Sequence, residues 1–265
     1  MRPQYLVLFL FCISLCRITV YSQIPFYTDD ADTTPKGQLH LEMYNEHDIL
    51  QKSAYPVKRQ NTLVFTLNYG LTKNLELGVN APYITLINSR IVDSGAVSGQ
   101  GDVQFGIKYK LRSEREKSKL PALAIVFYAE APTGSTRKEL GSGLTDYWLY
   151  GIAQKSLTTR TTARVNGGIL FSGNSSTGLI GIRTERGQVY TGNLSLVRAF
   201  SDKLSLGAEV FGAVTNNFKL DRGQLTAQIG AQYSVTKKLT LTFGVLGGSF
   251  TASPRAGVHL GFSYN

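Results

Sequence analysis

The chain is poor in the residues that usually carry chemistry. Its two cysteines, Cys12 and Cys16, lie within the first 22 residues, so the rest of the chain can form neither a disulfide nor a thiolate metal site. The three histidines, His40, His47 and His259, are too scattered for a zinc site, and no serine is predicted to stand beside them in a catalytic arrangement. We therefore expect no metal, no cofactor and no enzymatic activity.

Long apolar runs are missing as well. After residue 22, no segment reaches the ~18 consecutive apolar residues that a membrane-spanning helix needs. The stretch 6–15 is apolar but too short to span, and it lies between Arg2 and the small-residue site at 20–22. This is the pattern of a secretory signal. Residues 1–22 are predicted to be a cleaved signal peptide, and the mature chain is predicted to begin at Gln23.

Charge is sparse and unbalanced. Charged residues make up 17% of the chain, which has a net charge of +10 and 27 glycines. Few charges and many glycines favour strands and turns over helices. The basic residues are dispersed near the ends of the predicted strands without an aromatic platform, which argues against nucleic-acid binding. At a membrane rim, such cations are placed to meet lipid phosphates.

Alternation between apolar and polar residues is abundant. In four stretches the apolar set alternates and then finishes on a tyrosine, namely at Tyr69, Tyr109, Tyr233 and Tyr264. A period of two puts the apolar set on one face of a strand. An apolar face that ends in an aromatic ring suits a sheet that contacts lipid outside and a membrane interface at its edge. The pattern predicts a transmembrane β-barrel.

Twelve segments have the length and pattern of strands. They are 38–47, 60–70, 75–85, 102–111, 120–131, 145–156, 161–171, 188–200, 204–214, 223–234, 239–247 and 255–264. The connections between them alternate strictly between short polar turns and longer loops rich in Gly and Ser, the latter at 48–59, 86–101, 132–144, 172–187, 215–222 and 248–254. Barrels show this alternation, with periplasmic turns and extracellular loops. We predict an all-β, antiparallel up-and-down barrel of about 12 strands over residues 38–265, preceded by a periplasmic or plug-like segment at 23–37.

The aromatic residues are expected at the two rims. The four strand-ending tyrosines are assigned to the periplasmic rim, and the outer rim is assigned Tyr83, Trp148, Phe171 and Tyr190. The facing of strand 145–156 stays open, because its two alternating sets, Tyr147 with Leu149 and Trp148 with Tyr150 and Ile152, are both apolar.

Three stretches resemble the MetA-pathway phenol-degradation family of transporter-like outer-membrane barrels. The first is 28–32, Thr-Asp-Asp-Ala-Asp, followed by Gly37 and Gln38. The second is 99–111, Gly-Gln-Gly-Asp-Val-Gln-Phe-Gly-Ile-Lys-Tyr-Lys-Leu. The third opens at Pro121 and closes on 130–134, Glu-Ala-Pro-Thr-Gly. The resemblance implies a pore for small molecules, hydrophobic or aromatic ones among them. Barrel proteins commonly end on an aromatic residue that the barrel-assembly machinery reads, and Tyr264 stands one place short of the last residue.

The predicted inner face carries both charges and small residues. Five charged residues are predicted to form a constriction that selects solutes: Asp102, Glu130 and Arg255 at the outer mouth, with Arg164 and Glu209 lower, toward mid-barrel. Opposed charges across a narrow polar lumen discriminate ions. The alternative is a salt-bridge network that fills and stiffens the barrel. Inward glycines would leave room for a channel, or would only relieve strand curvature.

The sequence thus predicts a monomeric barrel in the outer membrane of a Gram-negative bacterium, surrounded by lipid and passing a small-molecule solute. Two alternatives stay open. One is a filled barrel with a structural or adhesive role through its loops, and the other is a soluble secreted β-sandwich. Some twelve-stranded barrels are phospholipases with a surface Ser–His pair, which this chain is not expected to form.

Overall fold

The computed structural model describes residues 23–54, 57–88, 95–115, 118–172, 187–215, 223–250 and 252–265. The predicted signal peptide lies outside these residues. Among the described residues, no helix is long and apolar enough to cross a membrane.

The described residues contain two short 3-10 helices, Lys52–Ala54 and Thr136–Lys138, and thirteen strands. The strands are β1 (Leu39–Ile49), β2 (Arg59–Gly70), β3 (Leu75–Ile87), β4 (Ala96–Gln100), β5 (Val103–Arg112), β6 (Ala122–Ala131), β7 (Asp146–Thr158), β8 (Thr161–Ser172), β9 (Gly187–Ala199), β10 (Leu204–Thr215), β11 (Gln224–Ser234), β12 (Leu239–Gly248) and β13 (Ala256–Tyr264).

The strands form one closed antiparallel sheet in which neighbours along the chain are neighbours in the wall. The first and last strands, β1 and β13, pair over their length and close the ring. β4 and β5 both pair with β3, on successive parts of it, and together occupy one position in the wall. The barrel therefore has twelve strand positions among the described residues. The predicted antiparallel up-and-down barrel of about 12 strands is confirmed.

One predicted loop is wrong over part of its length. The Gly- and Ser-rich stretch 86–101 was expected to be a loop, but Ala96–Gln100 forms β4 against Tyr83–Ile87. Gly99 faces the side chain of Leu140, whose Cδ1 lies 2.9 Å from where a Cβ on Gly99 would be. A glycine at a close approach lets the strand pass there, although the same residue in sequence favours a loop.

The two ends of the barrel differ. Short connections cluster at one end, here called the turn end, and long ones at the other, the loop end. Three of the short turns have the same backbone hydrogen bond, in which an N–H group donates to the carbonyl four residues on. The pairs are Leu71 to Leu75, Phe200 to Leu204 and Val235 to Leu239. A hydroxyl closes each by accepting a backbone N–H two residues on, and it is supplied by Thr72, Ser201 and Thr236. Such local side-chain bonds are what favour Ser and Thr in turns.

The two faces of the wall separate as the alternation predicts. Leu67, Ile107 and Ile229 point outward and are 45%, 47% and 66% exposed, whereas the alternating polar residues are buried in the lumen. The rim tyrosines Tyr69, Tyr109, Tyr233 and Tyr264 are exposed near the turn ends of their strands. An apolar outer belt with aromatic residues at its edge is the surface expected of a barrel in lipid.

The facing of β7 is settled by the structure. Tyr147 and Leu149 are exposed on the outer surface, while Ile152 is buried in the lumen and Tyr150 packs beside Tyr128. Trp148 shares the inward parity, so its assignment to the outer rim is wrong. Both alternating sets of this strand are apolar, and the choice between them depends on what occupies the lumen beside it.

Candidate functional site

Residues 23–36, called the luminal segment below, lie inside the barrel. The segment enters at the turn end, where Lys36 forms a bridge with Gly70. It rises until Tyr27 hydrogen-bonds to Glu46 through its hydroxyl group. It then folds back, so that the backbone N–H of Gln23 donates to Glu42, 2.9 Å away and nearer the turn end. The segment therefore occupies the turn-end half of the lumen as a loop.

Three aspartates of the luminal segment neutralise the cations of the barrel wall. Lys108 Nζ lies 2.8 Å from Asp29 and 3.4 Å from Asp30, and Arg164 lies 3.9 Å from Asp30. Lys110 lies 3.7 Å from Asp32. Burial by itself would raise the pKa of Asp30, but the cations of Lys108 and Arg164 outweigh it and hold that pKa below its usual value. Buried charges need such partners, so these contacts anchor the segment.

Polar groups of the opposite wall bind the backbone of the luminal segment. The carboxylate of Glu209 accepts the N–H groups of Tyr27 and Thr28 at 2.9 and 2.8 Å, and also the Thr28 hydroxyl at 2.7 Å. Gln228 and Gln232 donate their side-chain amides to the carbonyls of Pro25 and Ile24 at 2.6 and 2.8 Å. These contacts satisfy an irregular stretch that has no strand partners of its own along most of its length.

Inward glycines make room for the luminal segment. A Cβ on Gly207 would lie 2.6 Å from the Phe26 ring, and one on Gly230 would lie 2.4 Å from Pro25. Both contacts are too short for any larger residue. At these two positions the glycines therefore admit the segment against the wall, and the empty space of the lumen lies elsewhere.

That space is a cavity of about 280 Å³ between the luminal segment and the wall of β1, β2 and β3. Along β2 it is lined from Gln60 near the loop end to Asn68 near the turn end, through Thr62, Val64 and Thr66. Aromatic side chains face it from the segment and from other strands: Phe26, Tyr27, Tyr44, Tyr128, Trp148, Tyr150 and Phe211. The cavity thus runs beside the segment through most of the height of the barrel.

The five residues predicted as a charged constriction lie in four different settings. Arg164 and Glu209 both hold the luminal segment. Asp102 accepts the N–H groups of Gly134 and Ser142 at 2.8 and 2.9 Å and so fixes the loop between β6 and β7. Glu130 accepts the Gln104 amide at 2.6 Å, whereas Arg255 is exposed at the loop end. None of the five lines the cavity among its described residues.

The wall residues that line the cavity largely follow the inward alternation of their strands, but no sequence pattern distinguishes them from the other inward residues. The luminal acidic residues Glu46 and Asp48 follow the alternation of β1, as many other inward residues do. Their proximity to Tyr27 and His259 depends on the segment folding back and on β13 pairing with β1. No local sequence pattern predicts either contact.

The three stretches that carry the family resemblance contact one another. The aspartates of the first stretch pair with Lys108 and Lys110 of the second. The Thr133 hydroxyl of the third donates to the carbonyl of Gly101 at 2.9 Å and accepts the N–H of Val103 at 3.0 Å. The separated motifs therefore form one side of the lumen, from the luminal segment to the loop end.

Comparisons with solved structures place the fold among outer-membrane barrels. An outer-membrane channel from Pseudomonas putida F1 has a TM-score of 0.68 and 17% identity, over 89% of this chain and 97% of that one. The NanC porin has a TM-score of 0.56 and 10% identity, over 86% and 100%. The translocator domain of the autotransporter NalP from Neisseria meningitidis has a TM-score of 0.54 and 14% identity, over 89% and 90%. At these identities the likeness shows the fold alone.

Sequence comparison shows the family. Among curated proteins, no significant match was found. The family model described as "Putative MetA-pathway of phenol degradation" matches residues 57–265, which is most of the barrel, and the first of the three resembling stretches lies before that range. The chain therefore belongs to the MetA-pathway phenol-degradation family.

Proposed function

We propose that the protein is an outer-membrane channel for the passive transport of small molecules, with aromatic and hydrophobic ones among its solutes. The observation that carries the proposal is the cavity beside the luminal segment, which follows β2 from Gln60 to Asn68. A site of about 280 Å³ is just below the roughly 300–1,000 Å³ of pockets for drug-sized ligands. It suits a molecule with a single ring.

The surroundings of the cavity support this role. The apolar outer belt suits the lipid of the outer membrane of a Gram-negative bacterium, with the turn end in the periplasm and the loop end outside. Two of the solved structures with this fold are described as a channel and a porin, and the family is named for phenol degradation. We propose a monomer, assembled by the barrel-assembly machinery. No catalytic role is proposed, since His40 contacts Glu42 and Asn265, and His259 stacks on Tyr44.

A filled barrel with a structural or adhesive role is the second candidate. The luminal segment favours it, because its contacts with Glu209, Lys108 and Gln228 occupy much of the turn-end half of the lumen. The two candidates differ in one respect that can be measured. A channel lets solute pass beside the segment, whereas a filled barrel does not.

Liposome swelling with the purified protein separates the candidates. The channel predicts swelling in small neutral solutes, and Thr66→Trp should reduce its rate several-fold because Thr66 lines the cavity. Phe65→Trp is the matched control, since Phe65 is 44% exposed on the outer face of the same strand and its replacement should leave the rate unchanged. Absence of swelling with the unaltered protein, or equal rates for the two variants, would refute passage along β2.

A further inference from the structure

The cavity is lined by charges of one sign. Among the described residues that line it, Asp29, Glu42, Glu46, Asp48 and Glu76 are acidic and none is Lys or Arg. The cations of the wall at Lys108, Lys110 and Arg164 instead form ion pairs with aspartates of the luminal segment. The chain is basic as a whole, so the sign of the cavity is opposite to that of the protein. Carboxylates along a narrow lumen attract cations and exclude anions.

Most of these carboxylates have a partner within the protein. Asp29 pairs with Lys108, while Glu42 accepts the N–H of Gln23 and Glu76 accepts that of Thr34. Glu46 accepts the hydroxyl of Tyr27. Asp48 differs, because it is 1% exposed and, although its side chain contacts that of Glu46, its Oδ1 has no hydrogen-bond partner. A buried carboxylate oxygen without a partner is costly, unless a ligand supplies one.

A second unpartnered group adjoins Asp48. His259 lies directly across the sheet from Glu46, lines the cavity and is 1% exposed. Neither of its ring nitrogens has a hydrogen-bond partner, and Nδ1 lies 3.6 Å from Glu46, beyond hydrogen-bond range. Asp48 and Glu46 lie two residues apart on the same face of β1, so their carboxylates are neighbours. The cluster thus offers two acceptors without a partner in one place, namely Asp48 Oδ1 and one ring nitrogen of neutral His259.

Aromatic rings surround this cluster. Tyr44 stacks on His259 with ring centroids 4.4 Å apart, and Tyr27 packs against Phe211 at 4.7 Å. Tyr27 and Phe211 both line the same cavity. Aromatic faces attract cations and also bind apolar groups, so they complement a charged head attached to an apolar body.

We propose that this cavity binds and conducts small organic cations, namely protonated amines with an aromatic or short aliphatic body, at a site formed by Glu46, Asp48 and His259. The ammonium group donates to the free Asp48 Oδ1 and reduces the repulsion between the two neighbouring carboxylates. The body of the molecule lies against Tyr44, Tyr27 and Phe211. Conduction at this site rests on the proposed channel function, whereas binding does not.

Binding can be measured without transport, because the chain has a single tryptophan and Trp148 lines the cavity. Benzylamine, benzyl alcohol and benzoate are a matched set of a cation, a neutral molecule and an anion. Titrated into the detergent-solubilised protein, benzylamine should change the Trp148 fluorescence at concentrations at least about tenfold lower than the other two. Asp48→Asn should weaken benzylamine binding about tenfold or more, as expected on loss of one charge-assisted contact.

Asp202→Asn is the matched control for that variant. It makes the same chemical change at an exposed residue of the turn end and should leave benzylamine binding unaltered. If Asp48→Asn does not give a folded, heat-modifiable barrel, His259→Gln serves in its place and should also weaken benzylamine binding. Equal affinity for the three probes would overturn the proposed site. Unchanged benzylamine affinity in the folded variant, Asp48→Asn or else His259→Gln, would overturn it as well.

Passage is tested in liposomes and planar bilayers. A salt gradient should give a reversal potential that favours cations, and Glu46→Gln should shift it toward zero. Benzylamine should enter liposomes faster than benzoate. If benzyl alcohol enters and the reversal potential shows no preference for cations, the channel stands and the cation selectivity is wrong. If no solute and no ion passes while benzylamine still binds through Asp48, the site stands and the channel function is wrong.

Discussion

A single residue step decides on which side of the wall a side chain lies. Phe65 and Thr66 are neighbours in β2, yet Phe65 is on the outer belt and Thr66 lines the cavity. The same rule correctly predicted that Glu209 faces inward, and it holds for Glu42 and Glu76, since each stands in a clear alternation of polar and apolar residues. It failed for Trp148, where both faces of β7 are apolar and the neighbouring Tyr150 donates to Asp29, 121 residues away in the sequence.

Phe65→Arg is expected to destabilise the barrel by about 2–4 kcal/mol, because it places a charge in the apolar belt near mid-wall. Thr66→Arg should cost much less, since its guanidinium enters a cavity lined by carboxylates. Urea unfolding in lipid vesicles, followed by the heat-modifiable band, measures both variants. Similar losses would contradict this facing, and a larger loss for Thr66→Arg would mean that the two faces of β2 are exchanged.

Lys108 is the residue whose loss should disturb the lumen most. Its Nζ is buried against Asp29 and Asp30, so Lys108→Met leaves Asp29 without its cation and Asp30 with Arg164 alone. We expect the free energy of unfolding to fall by about 3–5 kcal/mol. Lys203→Met, at an exposed turn residue, should change it by no more than about 0.5 kcal/mol.

A second substitution checks the cause. If the loss comes from unpaired charge, adding Asp29→Asn to Lys108→Met should restore part of the stability. A double variant less stable than the sum of the two single effects would contradict the pairing, and would point to lost packing instead.

Elements of the fold were predictable to the extent that their signals are local. The twelve strand positions follow from alternation, and the short turns follow from a repeated Ser or Thr that accepts a backbone N–H, as Thr72 and Ser201 do. β4 was missed because Gly99 and its neighbours favour a loop, whereas its pairing with β3 is set by the sheet. The path of the luminal segment could not be predicted from the sequence either, since nearly all its partners lie on distant strands.

Removal of the luminal segment tests its part in transport. Deletion of residues 24–33 should raise the single-channel conductance several-fold, because the turn-end half of the lumen then fills with water. It should also reduce the stability of the barrel, as Glu209 and Lys108 lose their partners. A milder variant, Asp29→Asn with Asp30→Asn, keeps the chain length and should raise conductance less. Unchanged conductance after the deletion would mean that the segment does not limit passage.

At the scale of the whole molecule, the size of the lumen explains why the segment is there. Side chains alone just fill the interior of an eight-stranded barrel. A twelve-stranded barrel is wider, so side chains alone leave part of its interior empty. Residues 23–36 fill one part of it and the cavity along β2 remains. Contacts with the segment also satisfy the buried charges that the wall carries at Lys108, Arg164 and Glu209, none of which lines the cavity.

The orientation of the barrel follows from the asymmetry of its ends and can be tested on cells. Lys138 is exposed at the loop end and Lys237 is exposed at the turn end. Because the predicted mature chain has no cysteine, Lys138→Cys and Lys237→Cys each introduce a single thiol. A membrane-impermeant maleimide added to intact cells should label Lys138→Cys and spare Lys237→Cys, whereas both should react after the outer membrane is opened. Labelling of Lys237→Cys alone on intact cells would reverse the orientation, and labelling of neither would argue against a position in the outer membrane with the long loops outside.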